Sequence, residues 1–177
     1  MSTDVVGAGG VTVWDSPNAE AFRGAMGLFP TGIAVITVGQ GPGTEAMTAS
    51  SVTSISLEPT LVLVSVNAAG RLVAAIDGAG GFAVNVLAQD QTELSQRFAA
   101  RDRPSGLVAQ ELLGSVAGRS GHLVVPDALV SLECTTEYRY SGGDHVLYLG
   151  LVRGMRVADP ERPPLVYHRG AYTRLPG

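Results

Sequence analysis

Between residues 48 and 56 the chain places six side-chain hydroxyls in nine positions: Thr48, Ser50, Ser51, Thr53, Ser54 and Ser56. A Ser/Thr cluster ordinarily marks a solvated loop. Here Val52 and Ile55 are interspersed, and the apolar run Leu61 to Val66 follows at once, reading as a strand covered on both faces. A polar ligand held by hydroxyls and backbone N–H groups is the sharper reading, and solvent the plainer one. The other polar side chains beside strand-like runs are Asn67, Asn85 and His145, the last in the turn "GGDH". Each alone has a structural reading: Asn85 satisfying nearby backbone, Asn67 capping a turn, His145 serving a hairpin.

Other chemistries find little support. The sequence holds no Gly-x-Ser-x-Gly elbow, no Walker loop and no Gly-x-Gly-x-x-Gly between a strand and a helix, which lowers nucleophile and phosphate-loop readings. The single cysteine, Cys134, has no internal disulfide partner and reads as a packed apolar residue. His122, His145 and His168 are 23 residues apart, unlike a metal-ligand cluster, so no metal site is expected. A net charge of −4 offers no footprint for nucleic acid. With neither a signal-like start nor an apolar run of spanning length, the expected location is the cytoplasm, with no membrane contact. What remains is a set of hydroxyls and N–H groups with little fixed charge, which suits a planar ligand rich in acceptors and carrying one phosphate. Flavin mononucleotide (FMN) is such a ligand.

The elements that must position these groups follow from periodicity. Residues 1–15 read as a flexible leader and 16–177 as the folded domain. Ser16 and Pro17 mark a helix start, and Phe22, Ala25, Met26 and Phe29 fall on one face, expected to be buried. "GIAVITVG" and the chain beyond "QGPG" predict a hairpin. "TLVLVSV" and "GFAVNVL" predict two strands flanking a short helix in "GRLVAAIDG". Asp90 and Glu93 resemble a capping box for a helix carrying Leu94 and Phe98. Residues 102–126 read as an excursion with one helical turn. From Leu132 to Tyr140 the residues alternate, with Leu132, Cys134, Thr136, Tyr138 and Tyr140 expected on one face. "SGGD" turns that strand back, and a last strand lies within "PLVYHRGAYTRL". Six or seven strands punctuated by turns predict a mainly β protein, a β-barrel with short helices.

The stretches "FRGAMGLFPTGIAVITV", "MTASSVTSISLEPTLVLVSVN", "FAVNVL" with "LSQRFA", "GGDHVLYLG" and "PPLVYHRGAYTRL" resemble, in order, the short-chain flavin reductases that serve two-component monooxygenases. The resemblance implies an FMN-binding split barrel of Greek-key type, a homodimer that binds FMN or FAD and oxidises NADH or NADPH, and a monooxygenase partner that receives the reduced flavin. Carried over by residue, it puts Thr31, Ala49, Ser50, Ser51, Val52, Thr53 and Ser54 around the flavin ring and ribityl chain. Ser65 and Asn67 approach the phosphate, Asn85 and Phe98 line the same cavity, and His145 lies on the nicotinamide side as the catalytic candidate. After Asn67 the sequence departs from the family pattern with "AAGRLVAAI", so phosphate binding rests on Arg71 and helix-terminal N–H groups, or Arg71 is a surface charge. Three alternatives stay open on the sequence: a flavin-dependent oxidase, a flavin- or haem-binding protein, and a noncatalytic dimeric module. The apolar residues Val62, Val64 and Val66 are expected to need cover from a second copy.

Overall fold

The computed structural model describes residues 5–6, 10–11, 16–114 and 116–175. In chain order the strands are β1 (Val5–Val6), β2 (Gly10–Val11), β3 (Thr31–Gly32), β4 (Ala34–Val38), β5 (Glu45–Ala49), β6 (Val52–Leu57), β7 (Thr60–Asn67), β8 (Gly81–Val86), β9 (Val116–Ala117), β10 (Leu123–Val124), β11 (Val130–Gly142), β12 (His145–Val157), β13 (Val166–His168) and β14 (Ala171–Thr173). The helices are α1 (Ala19–Met26), α2 (Arg71–Ala79), α3 (Thr92–Ala99) and α4 (Gly106–Leu113). The expected leader lies outside the described residues except for β1 and β2, which pair antiparallel.

Seven strands form one antiparallel sheet in the order β5-β4-β8-β11-β12-β7-β6. Its two outermost strands, β5 and β6, are consecutive in the chain and separated only by Ser50 and Ser51. The sheet must therefore curl until its edges meet, which produces the expected barrel. No ladder joins β5 to β6, so the barrel is closed by the chain and by its interior. That interior collects alternate side chains from the strands: Ala34, Ile36 and Val38 of β4, Val62, Val64 and Val66 of β7, Phe82 and Val84 of β8, and Val146 and Tyr148 of β12. Leu72 and Ile76, one turn apart on α2, fill the remaining space. The three β7 valines are thus already covered within one chain. It is Leu61, Leu63 and Ser65 that face outward, only half-buried.

A second layer backs β4 and β8. Val35, Leu87, Phe98, Ala109, Leu113, Leu123 and Leu165 make a separate cluster, so β4 is buried on both faces. The excursion over 102–126 is more ordered than its composition predicts, because α4 packs Ala109 and Leu113 into this cluster. Asp90 is no capping residue: α3 starts at Thr92 after a 3₁₀ turn in which Gln91 accepts from the Ala88 N–H, and Asp90 pairs with Arg162 at 2.7 Å. Helix α1 begins after the N-cap Asn18 rather than Ser16, and it buries none of its residues in this chain. Phe22 and Phe29, expected inside, are 57% and 66% exposed.

Asn85 rivets the two layers. Its Nδ2 donates to the Val35 carbonyl at 3.1 Å and to Thr37 Oγ1 at 3.2 Å. Its Oδ1 accepts from the Val125 N–H and the Ser131 hydroxyl, each at 2.9 Å. The fully buried amide is saturated.

The alternation expected along β11 holds only to Thr136. Thr136 pairs with Gly150 and Tyr138 with Leu149, which leaves Glu137 as the extra residue of a bulge. An inserted residue reverses the faces beyond it. Cys134 therefore points into the barrel, while Tyr138 and Tyr140 point out, half-exposed and stacked with centroids 6.2 Å apart. Arg139 turns inward instead, over the Tyr148 ring and onto Asp77.

Replacing Asn85 by Ala strands the Val125 N–H and the Ser131 hydroxyl in the second layer. The expected loss is about 2–4 kcal/mol of unfolding free energy, read as a lower urea midpoint at unchanged m-value. A midpoint within error of the parent would show that the rivet is dispensable.

Candidate functional site

The seam between β5 and β6 is where backbone groups lack ladder partners. Among the described residues neither the Ser50 nor the Ser51 N–H has a backbone acceptor. The segment is held from one side only, by the Ser51 carbonyl accepting from the Ser65 N–H at 3.3 Å and the Ser51 hydroxyl donating to the Ser65 carbonyl at 2.9 Å. The result is a short stretch of fixed backbone with exposed hydroxyls and free donors, a suitable lining for carbonyl and hydroxyl ligand atoms.

A cleft of about 550 Å³ opens on it, lined by Thr31, Gly32, Ser50, Ser51, Val52 and Thr53 together with Met26, Phe29 and Leu63. A second cleft of about 560 Å³ shares Met26, Phe29, Thr31 and Ser50 with the first and continues past Arg23, Tyr167 and Arg169. Together they form one groove between the seam and the C-terminal end of α1. One wall is apolar and the floor is hydroxylic, a combination that suits a planar ring with a polar rim. The side chains of the ring-binding set divide at this point. Ser50, Ser51, Val52, Thr53 and Thr31 line the groove, Ala49 turns its methyl into the barrel core, and Ser54 sits one residue beyond the lining.

The residues expected around the phosphate lie further along the same sheet face. Ser65 is braced by Ser51, and two residues on, Asn67 pairs across the ladder with His145. Asn67 Oδ1 accepts from the Ala69 N–H at 3.0 Å. His145 Nδ1 sits 2.8 Å from Asp144 Oδ1, which leaves Nε2 open, and the His145 hydrogen bond holds the Asp144 carboxyl below its usual pKa. Neither Asn67 nor His145 lines the groove itself. Arg71 stands at the first position of α2 with its guanidinium already engaged, Nε to Glu45 at 3.3 Å and an Nη to the Arg103 carbonyl at 3.0 Å. It ties α2 to β5 and to the segment before α4. Asn85 and Phe98, expected to line the same cavity, are both fully buried and do not line the groove. The outward register of β8 at Asn85 aims that amide at Val125 and Ser131, and the helical spacing of α3 aims Phe98 at the second layer.

Sequence reasoning missed Arg23, Tyr167 and Arg169. Arg169 and Gly170 form the β13–β14 turn with φ of 52° and 78°. A non-glycine residue in the left-handed region carries a steric cost and is a pointer to function when the surroundings enforce it. Here they do: the Arg169 N–H donates to the Gly27 carbonyl at 2.7 Å, which fastens the turn to the end of α1 and holds the guanidinium at the groove. The signal available was the dipeptide Arg-Gly between two alternating runs. Cys134, in contrast, is buried with its thiol pushed up to about 12 by desolvation, which leaves it inert.

A curled antiparallel barrel with a hydroxyl-lined seam under a basic turn defines a class of small-molecule binding folds, and comparison with known proteins fixes which. The flavin reductase like domain model matches residues 26–176, and the chain belongs to that family. An NADH-dependent FMN reductase of Streptomyces nodosus subsp. asukaensis, AsuE2, is 60% identical over 90% of this chain and 86% of its own length. The reductase component of a Thermus thermophilus 4-hydroxyphenylacetate 3-monooxygenase is 36% identical over 88% of this chain and 96% of its own. Among solved structures, the Streptomyces globisporus NADH:FAD oxidoreductase SgcE6 superposes with a TM-score of 0.85 at 34% identity, covering 94% of this chain and 98% of that one. BorF, the flavin reductase component of a bacterial two-component tryptophan halogenase, gives 0.84 at 36% identity over 90% and 99%. The expected split-barrel fold and flavin reductase family are borne out.

Arg169→Gly removes a cation and a strained backbone together. The variant should be at least as stable in urea as the parent. Binding of FMN or of NADH, followed by fluorescence quenching, should weaken by about threefold or more for at least one of the two. Lower stability with unchanged binding of both would make Arg169 a structural residue.

Proposed function

We propose that the protein is an NADH:FMN oxidoreductase that passes reduced flavin to a monooxygenase partner. The observation that carries this reading is the groove, in which the free N–H groups of Ser50 and Ser51 and the hydroxyls of Ser50 and Thr53 face an apolar wall. The choice of NADH and FMN rests on the likeness to the Streptomyces nodosus reductase, and the partner on the likeness to the monooxygenase reductase component. When bound, the two nucleotides supply the hydride chemistry themselves, and the protein supplies binding, orientation and electrostatics. In this reading Thr31 and the segment Ser50–Ser54 hold the ring, with seam N–H groups directed at its carbonyl edge, where negative charge collects on reduction. Ser65 and Asn67 take the ribityl phosphate end. His145, backed by Asp144, fixes the nicotinamide nucleotide through Nε2. No general base is required.

The homodimer belongs to the same proposal. The outward face of β7-β12-β11 presents Leu61, Leu63, Leu147, Leu149, Tyr138 and Tyr140, half-buried or exposed, and a monomer rarely leaves so continuous an apolar sheet face in water. Leu63 also lines the groove, so a second copy seated there would wall the ligand site. Among the described residues no helix is long and apolar enough to cross a membrane, and a reductase drawing on NADH fits the cytoplasm.

Steady-state loss of NADH absorbance with FMN, FAD and riboflavin in turn tests the activity. FMN-dependent oxidation is expected, and its absence under conditions where FMN binding is verified would sink the assignment. His145→Ala should raise KM for NADH about tenfold while FMN affinity stays within about threefold. A well-folded mutant with parental NADH kinetics would remove His145 from the site.

Leu149→Glu places a charge in the outward face and should convert a dimer to a monomer by light scattering at micromolar concentration. A parent chain that is already monomeric and fully active would overturn the dimer.

A further inference from the structure

A third cavity lies at the other end of β8 from the groove. Gly81 lines it at one end of the strand, while Val86 at the other end pairs with Ala34 beside Gly32, roughly 17 Å away at the rise of a strand. Its volume is about 310 Å³, too small for a flavin or a dinucleotide. Its wall carries Arg119, Ser120, His122, Glu133, Thr135 and Arg153, none of which the reductase reading uses.

The cavity is built around one donor. His122 is 6% exposed. Its Nδ1 accepts from the Gly39 N–H at 3.1 Å, so in the neutral ring the proton sits on Nε2. Burial lowers the His122 pKa and keeps that ring neutral. Among the described residues the Nε2–H has no acceptor. It faces Gly81, where an added Cβ would lie 3.0 Å from Nε2 and 2.5 Å from the Cys134 carbonyl oxygen. Glycine alone keeps the donor open to the cavity.

The charges around it have a definite balance. Arg153 is the bulged residue between Val152 and Gly154, and its Nε donates to Thr135 Oγ1 at 3.1 Å. Neither Arg153 nor Arg119 forms an ion pair among the described residues. Glu133 also lines the wall, but its Oε2 accepts from both the N–H and the hydroxyl of Ser120, at 2.6 and 2.5 Å. Its carboxylate is thereby engaged in holding the 119–120 turn. Two guanidiniums against one carboxylate leave one net positive charge, alongside an imidazole N–H with no acceptor and a side-chain-free wall at Gly80 and Gly81.

We propose that this cavity is a second binding site, which takes a small organic monocarboxylate on His122 Nε2–H and the guanidiniums of Arg119 and Arg153. The net charge matches a monoanion better than a phosphate dianion, since Glu133 opposes a second negative charge. The compact, part-apolar cavity matches a ligand with a small hydrocarbon body.

Titration of the purified chain with sodium benzoate, followed by amide proton–nitrogen correlation spectra, tests this. One saturable event per chain is expected, with the largest shifts at Gly81, Ser120 and His122. Benzamide, of the same shape without the charge, should bind about tenfold more weakly, and Arg153→Met should weaken benzoate to a similar degree. Arg153 is exposed, so that variant keeps the fold; His122→Phe should abolish the event. Absence of saturable binding, shifts confined to Ser50–Thr53 and Arg169, parental affinity in Arg153→Met, or inorganic phosphate binding more tightly than benzoate would each overturn the proposal.

Discussion

The structure depends on one constraint: the two edges of its seven-stranded sheet are neighbours in sequence. With only Ser50 and Ser51 between β5 and β6, the sheet cannot lie flat, and it cannot close with a full ladder either, because no ladder forms across that seam. An edge strand normally presents unpaired N–H and C=O groups that a protein must cover or blunt. This fold leaves two of its edge N–H groups free and surrounds them with hydroxyls, so a liability of open sheets becomes the lining of a groove. The apolar interior makes this possible, since the valines of β7 and the aromatic rings of Phe82 and Tyr148 hold the curl without help from the seam.

Rigidity behind the seam comes from the second layer. A strand buried on both faces, as β4 is, needs something to fix its far side. The saturated Asn85 amide does so by linking β4, β11 and the segment before Ala128 through four hydrogen bonds. A buried polar group in this state specifies one arrangement of layers, because any other leaves several of its partners unsatisfied. The groove then sits on a frame with little freedom, which is what positioning two flat ligands at reacting distance requires.

The bulge at Glu137 has a comparable reach. By reversing the faces of β11 it directs Tyr138 and Tyr140 away from the core and brings Arg139 over Tyr148 and onto Asp77. That arginine ties the β11–β12 hairpin to α2 through Asp77. At the same time the outward tyrosines extend the leucine face of β7 and β12. One inserted residue thus both ties the hairpin to α2 and enlarges the surface that a second copy would cover.

Much of this was legible in the chain itself. The strands at Ala34–Val38, Thr60–Asn67 and Gly81–Val86, the helix after Gly70 and the His145 hairpin follow from local period and turn chemistry, and the hydroxyl segment stood out because nothing in a core needs so many donors. Which way a given polar residue points was decided only by the tertiary structure. Asn85 and Phe98 belong to the second layer, Arg169 reaches the groove through a left-handed turn fastened to α1, and Phe22 and Phe29 stay in the open. The physical reason is that periodicity fixes which residues share a face, whereas the identity of the face depends on strand order, on a single bulged residue, and on packing between segments far apart in sequence.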